Sequence, residues 1–378
     1  MISHRDYKAG EIISVNPPFV HAIDEDKKGK YCDYCLAPTT GGATALGKCS
    51  NCKHMYYCGK DCQRNDWKQH KFECKIFKKS YEIITDEFDR FLLRLYLFVK
   101  NNPECVNERQ KFINDENSNR CFNDLLMTDW NRMQNDSFRI SDFETICTKF
   151  QFMKIEFNRT VLFKFYCISC SKFLKIVNYE LEKLGAGLYI AESQIGHSCT
   201  PNSAQLFNGN QIVMRAIKPI KSGTQITVSY VDMIESRYDR QTKLAQYFNI
   251  TCECQRCNSV DPVNHQLLKE FIMKLDILYL VDKFKAYKLG TVILSMLQWI
   301  YTDYHPAIII HIIHLLQICH EIALENGDNE RIGLSVAAMA QHVRIELPDA
   351  YKEIFENTYF NQPEDAQITI MKALANVD

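Results

Sequence analysis

Apolar positions change their period several times along this chain, and each change predicts a different kind of structure. Between residues 10 and 23, Glu11-Ile12-Ile13-Ser14-Val15 is β-branched and Pro17-Pro18 excludes a helix, so the segment reads as extended. From Lys60 to Cys74, the recurrence of Trp67, His70 and Cys74 at near-helical spacing predicts a short helix. Residues 76–183 contain no glycine. Within them Phe88–Val99, apolar at 88, 91, 92, 95, 98 and 99, reads as an amphipathic helix. Glycines return at 185, 187, 196, 209 and 223, accompanied by short strand-like runs at 211–215 and 225–230. Phe207-Asn208-Gly209-Asn210 is a hairpin turn signal. From Gln266 onward the period is helical again, at 267–281, 307–324 and 332–347, in the manner of an α-solenoid or bundle, with no strict 34-residue repeat.

Composition narrows this picture. The 378 residues suffice for two or three domains, and 46% hydrophobic with 12% aromatic residues supplies a sizeable core. A formal net charge of −1 excludes a globally basic nucleic-acid binder. Met1-Ile2-Ser3-His4-Arg5-Asp6 offers no apolar core of a secretory signal. The longest apolar run, Ala307 to Leu316, is broken by His311 and His314 and is too short to span a membrane. The 17 cysteines are odd in number and cluster at metal-like spacings, which points to a reducing compartment, cytosol or nucleus.

Candidate chemistry begins with four consecutive pairs: Cys32-x2-Cys35, Cys49-x2-Cys52, Cys58-x3-Cys62 and His70-x3-Cys74. Thiolate and imidazole ligands suit four-coordinate Zn²⁺, so eight of them make two closed structural sites with no open position for catalysis. Spacing leaves open whether the pairs combine sequentially or interleave. A second cluster, Cys252-x-Cys254-x2-Cys257, needs a fourth ligand to close a tetrahedron.

Cys58-Gly59-Lys60-Asp61-Cys62-Gln63-Arg64-Asn65-Asp66-Trp67-Lys68-Gln69-His70-Lys71-Phe72-Glu73-Cys74 resembles the second half of a MYND zinc finger. That resemblance implies interleaved pairs: Cys32, Cys35, Cys58 and Cys62 on one zinc, Cys49, Cys52, His70 and Cys74 on the other. It also implies recognition of proline-containing peptides. The lysines at 60, 68, 71, 75, 78 and 79 leave room for an acidic partner. Gly196-His197-Ser198-Cys199-Thr200-Pro201-Asn202 and Ile226-Thr227-Val228-Ser229-Tyr230-Val231-Asp232 resemble the two signature segments of SET-domain lysine methyltransferases, and residues 252–257 resemble the post-SET cluster. In that family the fourth ligand is the cysteine of the first segment, here Cys199.

The combination resembles the SET-and-MYND (SMYD) family. It implies an α+β fold in which a β-rich SET domain is split by a MYND zinc finger and followed by a post-SET zinc cluster and a C-terminal α-helical, tetratricopeptide-like domain. The expected divisions are 1–31 (N-terminal part of the SET domain, truncated), 32–74 (finger), 75–184 (helical insert), 185–234 (SET core), 235–260 (post-SET) and 261–378 (helical domain). The implied activity is methyl transfer from S-adenosylmethionine to a lysine of a histone or non-histone protein. Tyr230 would be catalytic, with Gly196, His197, Tyr230 and Phe248 toward the cofactor and three zinc ions per chain. A monomer in cytoplasm and nucleus is expected, without membrane or direct nucleic-acid binding.

Departures from the family pattern fall on the cofactor pocket. The match starts at Arg5-Asp6-Tyr7-Lys8-Ala9-Gly10-Glu11, just after the place of a glycine-rich segment. Gly196 stands where the family has asparagine, and Ser171-Lys172-Phe173 where it has an Asn-x-Phe pattern. The channel aromatic before the post-SET cluster is Phe248, or Tyr247 if one residue is inserted. These departures carry the alternative reading, a SET and MYND scaffold that recruits partners through its finger and helical tail.

Overall fold

The computed structural model describes residues 1–39, 46–84, 86–112, 119–125, 133–178, 180–261, 263–302 and 305–326. The helical period at 332–347 lies outside these. The described chain divides into two units. The first holds Ser14–Gln194 and Leu206–Val213; the second holds Met1–Ile13, Ile195–Gln205 and the described residues from Met214 on.

Strand β1 (Ile12–Asn16) leads into the first unit and is followed by β2 (Val20–Ile23), every residue of which is buried. The cysteine-rich segment contributes a two-residue antiparallel ladder, β3 (Gly47–Lys48) with β4 (Tyr56–Tyr57). Helix α1 (Lys60–Ser80) runs beyond the expected end at Cys74, because its last turns carry Phe77 into the core, where its ring meets Tyr81 edge-on at 5.0 Å. Helix α2 (Glu87–Asn101) starts at Asp86, whose carboxylate accepts from the amide of Asp89. It is not amphipathic in the expected sense. Arg90 and Arg94 are as buried as Phe91, Leu92, Leu93 and Leu95, because the arginine face meets buried acids instead of water.

A short hairpin, β5 (Gln110–Lys111) with β6 (Asn119–Arg120), precedes α3 (Ser137–Phe152), capped by Asp136, and α4 (Arg159–Lys172), capped by Asn158. Helix α4 runs directly into β7 (Phe173–Val177), so Ser171-Lys172-Phe173 straddles a helix-to-strand junction. The chain returns through β8 (Lys183–Leu188). The sheet order is β2-β8-β7, all antiparallel, with Val20 opposite Leu188 and Phe173 opposite Leu188 on the other side. Stacked and edge-on rings of Phe19, Phe98, Phe122 and Phe165 fill the core of this unit.

In the second unit, β9 (Gly196–His197) pairs in parallel with a strand thirty residues on. Between them come β10 (Ser203–Asn208) and β11 (Gln211–Ala216), joined by the turn at Gly209, which takes φ of +58°. These two strands and β1 have the order β1-β11-β10, and each runs from one unit into the other. The strand expected over 225–230 is regular only at β12 (Thr227–Val228). Its preceding residues pair instead with the N-terminal segment: the Ile226 amide donates to Met1 O at 2.9 Å, and Ile2 bridges Gln225.

Helix α5 (Arg237–Lys243) is capped by Ser236 and widens into a π-helical turn over Leu244–Phe248, which ends at Asn249 with φ of +54°. After α6 (Gln255–Asn258) come α7 (His265–Val281), α8 (Lys283–Ile300) and α9 (Pro306–Asn326). Helix α8 is absent from the periodic segments picked out above. Its buried stripe is narrow (Ala286, Gly290, Ile293, Leu297 and Ile300), and exposed Val292 and Trp299 blur the pattern around it.

Candidate functional site

Both Cys-x2-Cys turns of the cysteine-rich segment end in a left-handed residue. Leu36 (φ +59°) and Lys53 (φ +67°) each donate their amide to the first cysteine's carbonyl, at 3.0 Å. The turn curls the chain so that two sulfurs face one point. Helix α1 supplies Cys62 from its first turn and His70 and Cys74 from one later turn, where residues four apart share a face.

The ligand atoms of Cys32, Cys35, Cys58 and Cys62 all lie within 4.8 Å of one another, as do those of Cys49, Cys52, His70 and Cys74. A third group has the same property: Cys199, Cys252, Cys254 and Cys257. Zinc–sulfur bonds of about 2.3 Å place tetrahedral corners about 3.8 Å apart. The Cys35–Cys58 and Cys49–Cys74 sulfur separations are 3.7 Å, and Cys199–Cys257 is 3.6 Å. The donor sets fit zinc in chemistry and size.

Around the third group the electrostatics agree. Arg240 is fully buried, and its Nε and Nη2 have no oxygen or nitrogen partner among the described residues. Burial lowers its pKa, but the sulfurs of Cys199 and Cys257 more than offset this and raise it. Four thiolates around Zn²⁺ carry two net negative charges, which a buried guanidinium partly neutralises.

The same cysteine leads into the second constellation. In the β9–β12 pair, Thr227 stands opposite Gly196 and Val228 opposite His197. Just past that pair, the Tyr230 amide donates to His197 Nδ1 at 3.0 Å. Nδ1 is therefore an acceptor, and the ring proton sits on Nε2, 3.3 Å from Cys199 Sγ. Burial, then the charge of Arg240, pushes the His197 pKa down to about 4, so the ring is neutral at pH 7.

The Tyr230 hydroxyl donates to the Ile195 carbonyl. Its ring lies 5.4 Å from His197 and 4.9 Å from Phe248. The π-helical turn thus aims Phe248 at Tyr230, while Tyr247 is 43% exposed. Gly196, His197, Tyr230 and Phe248 are all half-buried, and the Tyr230 and Phe248 rings are in contact. Rings of this kind suit a cationic sulfonium.

Residues 32–74 match the MYND finger family. N-lysine methyltransferase SMYD2-A of Xenopus laevis is 26% identical over 285 residues, covering 71% of this chain and 63% of the relative. Histone-lysine N-methyltransferase SMYD3 of Homo sapiens is 28% identical over 263 residues, covering 67% and 58%. Over about two thirds of its length the chain is similar to SET-and-MYND proteins. It spans about three-fifths of the length of these curated SET-and-MYND relatives. Its fold is the SET-and-MYND one: a β-rich SET domain split by a zinc finger, a further four-cysteine cluster and C-terminal helices. No described helix is long and apolar enough to cross a membrane.

What sequence reasoning missed is the support behind the finger. His70 Nδ1 lies 3.1 Å from Glu73, an arrangement that orients Nε2 toward a metal. Glu73 is gripped by Arg94, whose Nη1 also donates to Asp66 at 2.9 Å, and Asp66 accepts from the Tyr57 hydroxyl at 2.7 Å. Arg90 pairs with Asp33 at 2.8 Å, beside Cys32. Burial alone would raise the Glu73 pKa; the charge of Arg94 overrides it and holds the carboxyl well below the usual range. The available signal was two arginines four apart inside an otherwise apolar helix.

Proposed function

We propose that this chain is an S-adenosylmethionine-dependent protein-lysine N-methyltransferase acting on histone or non-histone proteins. The observation that carries the proposal is the β9–β12 ribbon, which brings His197 and Tyr230 into direct hydrogen-bond contact. Bound S-adenosylmethionine would supply a methyl group on a cationic sulfur. The chain's own residues supply position. Tyr230 is fixed by His197 at its amide, by Phe248 at its ring and by Ile195 at its hydroxyl, so it can orient an incoming amine without reorganising. His197, Gly196 and Phe248 would line the cofactor side, and neutral His197 adds no positive charge beside a sulfonium.

The same proposal assigns three zinc ions to the twelve ligands and the segment boundaries stated above to the domains. The finger is a protein-interaction module; we assign it proline-containing peptides, and the protein a monomeric state in cytoplasm and nucleus. Calorimetric titration of the zinc-loaded protein with S-adenosylmethionine is the test. Binding is expected, and Tyr230→Phe should retain it while transfer to a peptide array collapses. A folded, zinc-loaded protein that binds no cofactor would favour the scaffold instead, and undiminished transfer by Tyr230→Phe would remove that residue from catalysis.

A further inference from the structure

Gly196 offers no side chain at the position where the family resemblance implies an asparagine, yet the space beside it is filled. A Cβ built on Gly196 would lie 2.8 Å from Nε2 of Gln225 and 3.9 Å from its Cδ. The carboxamide of Gln225 therefore stands where a side chain of residue 196 would begin.

Its backbone is pinned from several directions. The Gln225 carbonyl accepts from Asn202 Nδ2 at 2.7 Å, the same Asn202 accepts from the Thr227 amide at 2.8 Å, and Gln225 bridges Ile2 across the antiparallel pairing. Asn202 itself is buried. The root of the glutamine side chain is thus held, while its carboxamide has no hydrogen-bond partner among the described residues. Gln225 lies two residues before Thr227, the register partner of Gly196, so it emerges on the same face of the strand as that residue. It belongs to the ribbon that carries His197 and Tyr230 and is exposed.

We propose that the Gln225 carboxamide is a cofactor-binding group of this chain, delivered from the neighbouring strand to the place that Gly196 leaves open. The inference rests on the methyltransferase reading above. The small residue at 196 and the long amide at 225 form one unit: a side chain at 196 would displace the carboxamide from its place.

Titration of zinc-loaded protein with S-adenosylhomocysteine tests this without requiring turnover. Gln225→Ala should bind about five-fold more weakly, the loss of one net hydrogen bond. The melting temperature without ligand should stay unchanged, because the side chain is exposed. Gly196→Asn alone should also weaken binding, since its Cβ meets the glutamine. The exchange Gly196→Asn with Gln225→Ala should return binding to within about twofold of the wild type. Wild-type affinity retained by Gln225→Ala overturns the assignment and leaves the methyltransferase reading standing. A wild-type protein that binds no S-adenosylhomocysteine overturns both.

Discussion

Replacing Arg94 by methionine should be among the most damaging single changes to the finger-bearing unit, although no zinc ligand is touched. All five N–H groups of Arg94 have acceptors: Glu73 and Asp66 oxygens, and the His21 carbonyl at 3.2 Å. The guanidinium is fully buried, and Glu73 and Asp66 are nearly so. Methionine fills similar space but leaves two buried carboxylates without a counter-charge. Breaking a buried pair from one side costs about 3–5 kcal/mol. In urea, at a slope near 2 kcal/mol/M, the unfolding midpoint should fall by roughly 2 M. Adding Glu73→Gln to the variant should recover part of the loss, because one uncompensated charge disappears. Arg94→Lys should lie between, since an ammonium cannot fork across two acids. Circular dichroism of zinc-saturated protein at pH 7 is the assay. A loss under about 1 kcal/mol for Arg94→Met would refute the claim that these charges anchor the finger to α2.

Acid should weaken the same unit through His21, whose pKa burial, and then the charge of Arg94, push down to about 4. The unfolded chain takes up this proton first, so the contribution is intact above the ordinary histidine pKa and declines as pH falls toward 4, by up to about 1.4 kcal/mol per pH unit. His21→Gln should show a shallower pH dependence than the wild type in denaturant titrations from pH 7 to 4.5; identical curves would count against it. Gly209→Ala should cost at least about 1–2 kcal/mol in thermal unfolding, because φ is +58° and the new Cβ would fall 2.3 Å from the Cys35 carbonyl; a neutral result would mean the turn can move. Metal analysis should find three zinc ions, and a thiol reagent should release them in order of ligand exposure. The site with exposed Cys58 should empty first and the fully buried Cys49, Cys52, His70, Cys74 site last, the reverse order being the refutation.

The metal clusters were legible because ligand chemistry demands particular residues at short spacing, and Cys32 to Cys74 display them openly. The hairpin at Gly209 was legible because its backbone needs glycine. Three other features were hidden, each for a physical reason. Arg90 and Arg94 read as a solvated face, since sequence does not reveal that Asp33, Asp66 and Glu73 from a distant segment will be buried opposite them. Helix α8 hid behind exposed apolar residues that widened its stripe. Gln225 carried no signal at all: its relation to Gly196 exists only through the parallel register of β9 and β12.

Strand β2 has a consequence for how the chain is made. All four of its residues are buried, yet β8, its only sheet partner among the described residues, is synthesised about 160 residues later. At 5–20 residues per second, a ribosome needs roughly ten to thirty seconds to produce it. During that interval the cover at hand is α2, whose Arg94 already reaches the His21 carbonyl, and α2 is held by the acids of the finger. Zinc supply at the moment of translation thus bears on whether a wholly buried strand waits sheltered or in the open.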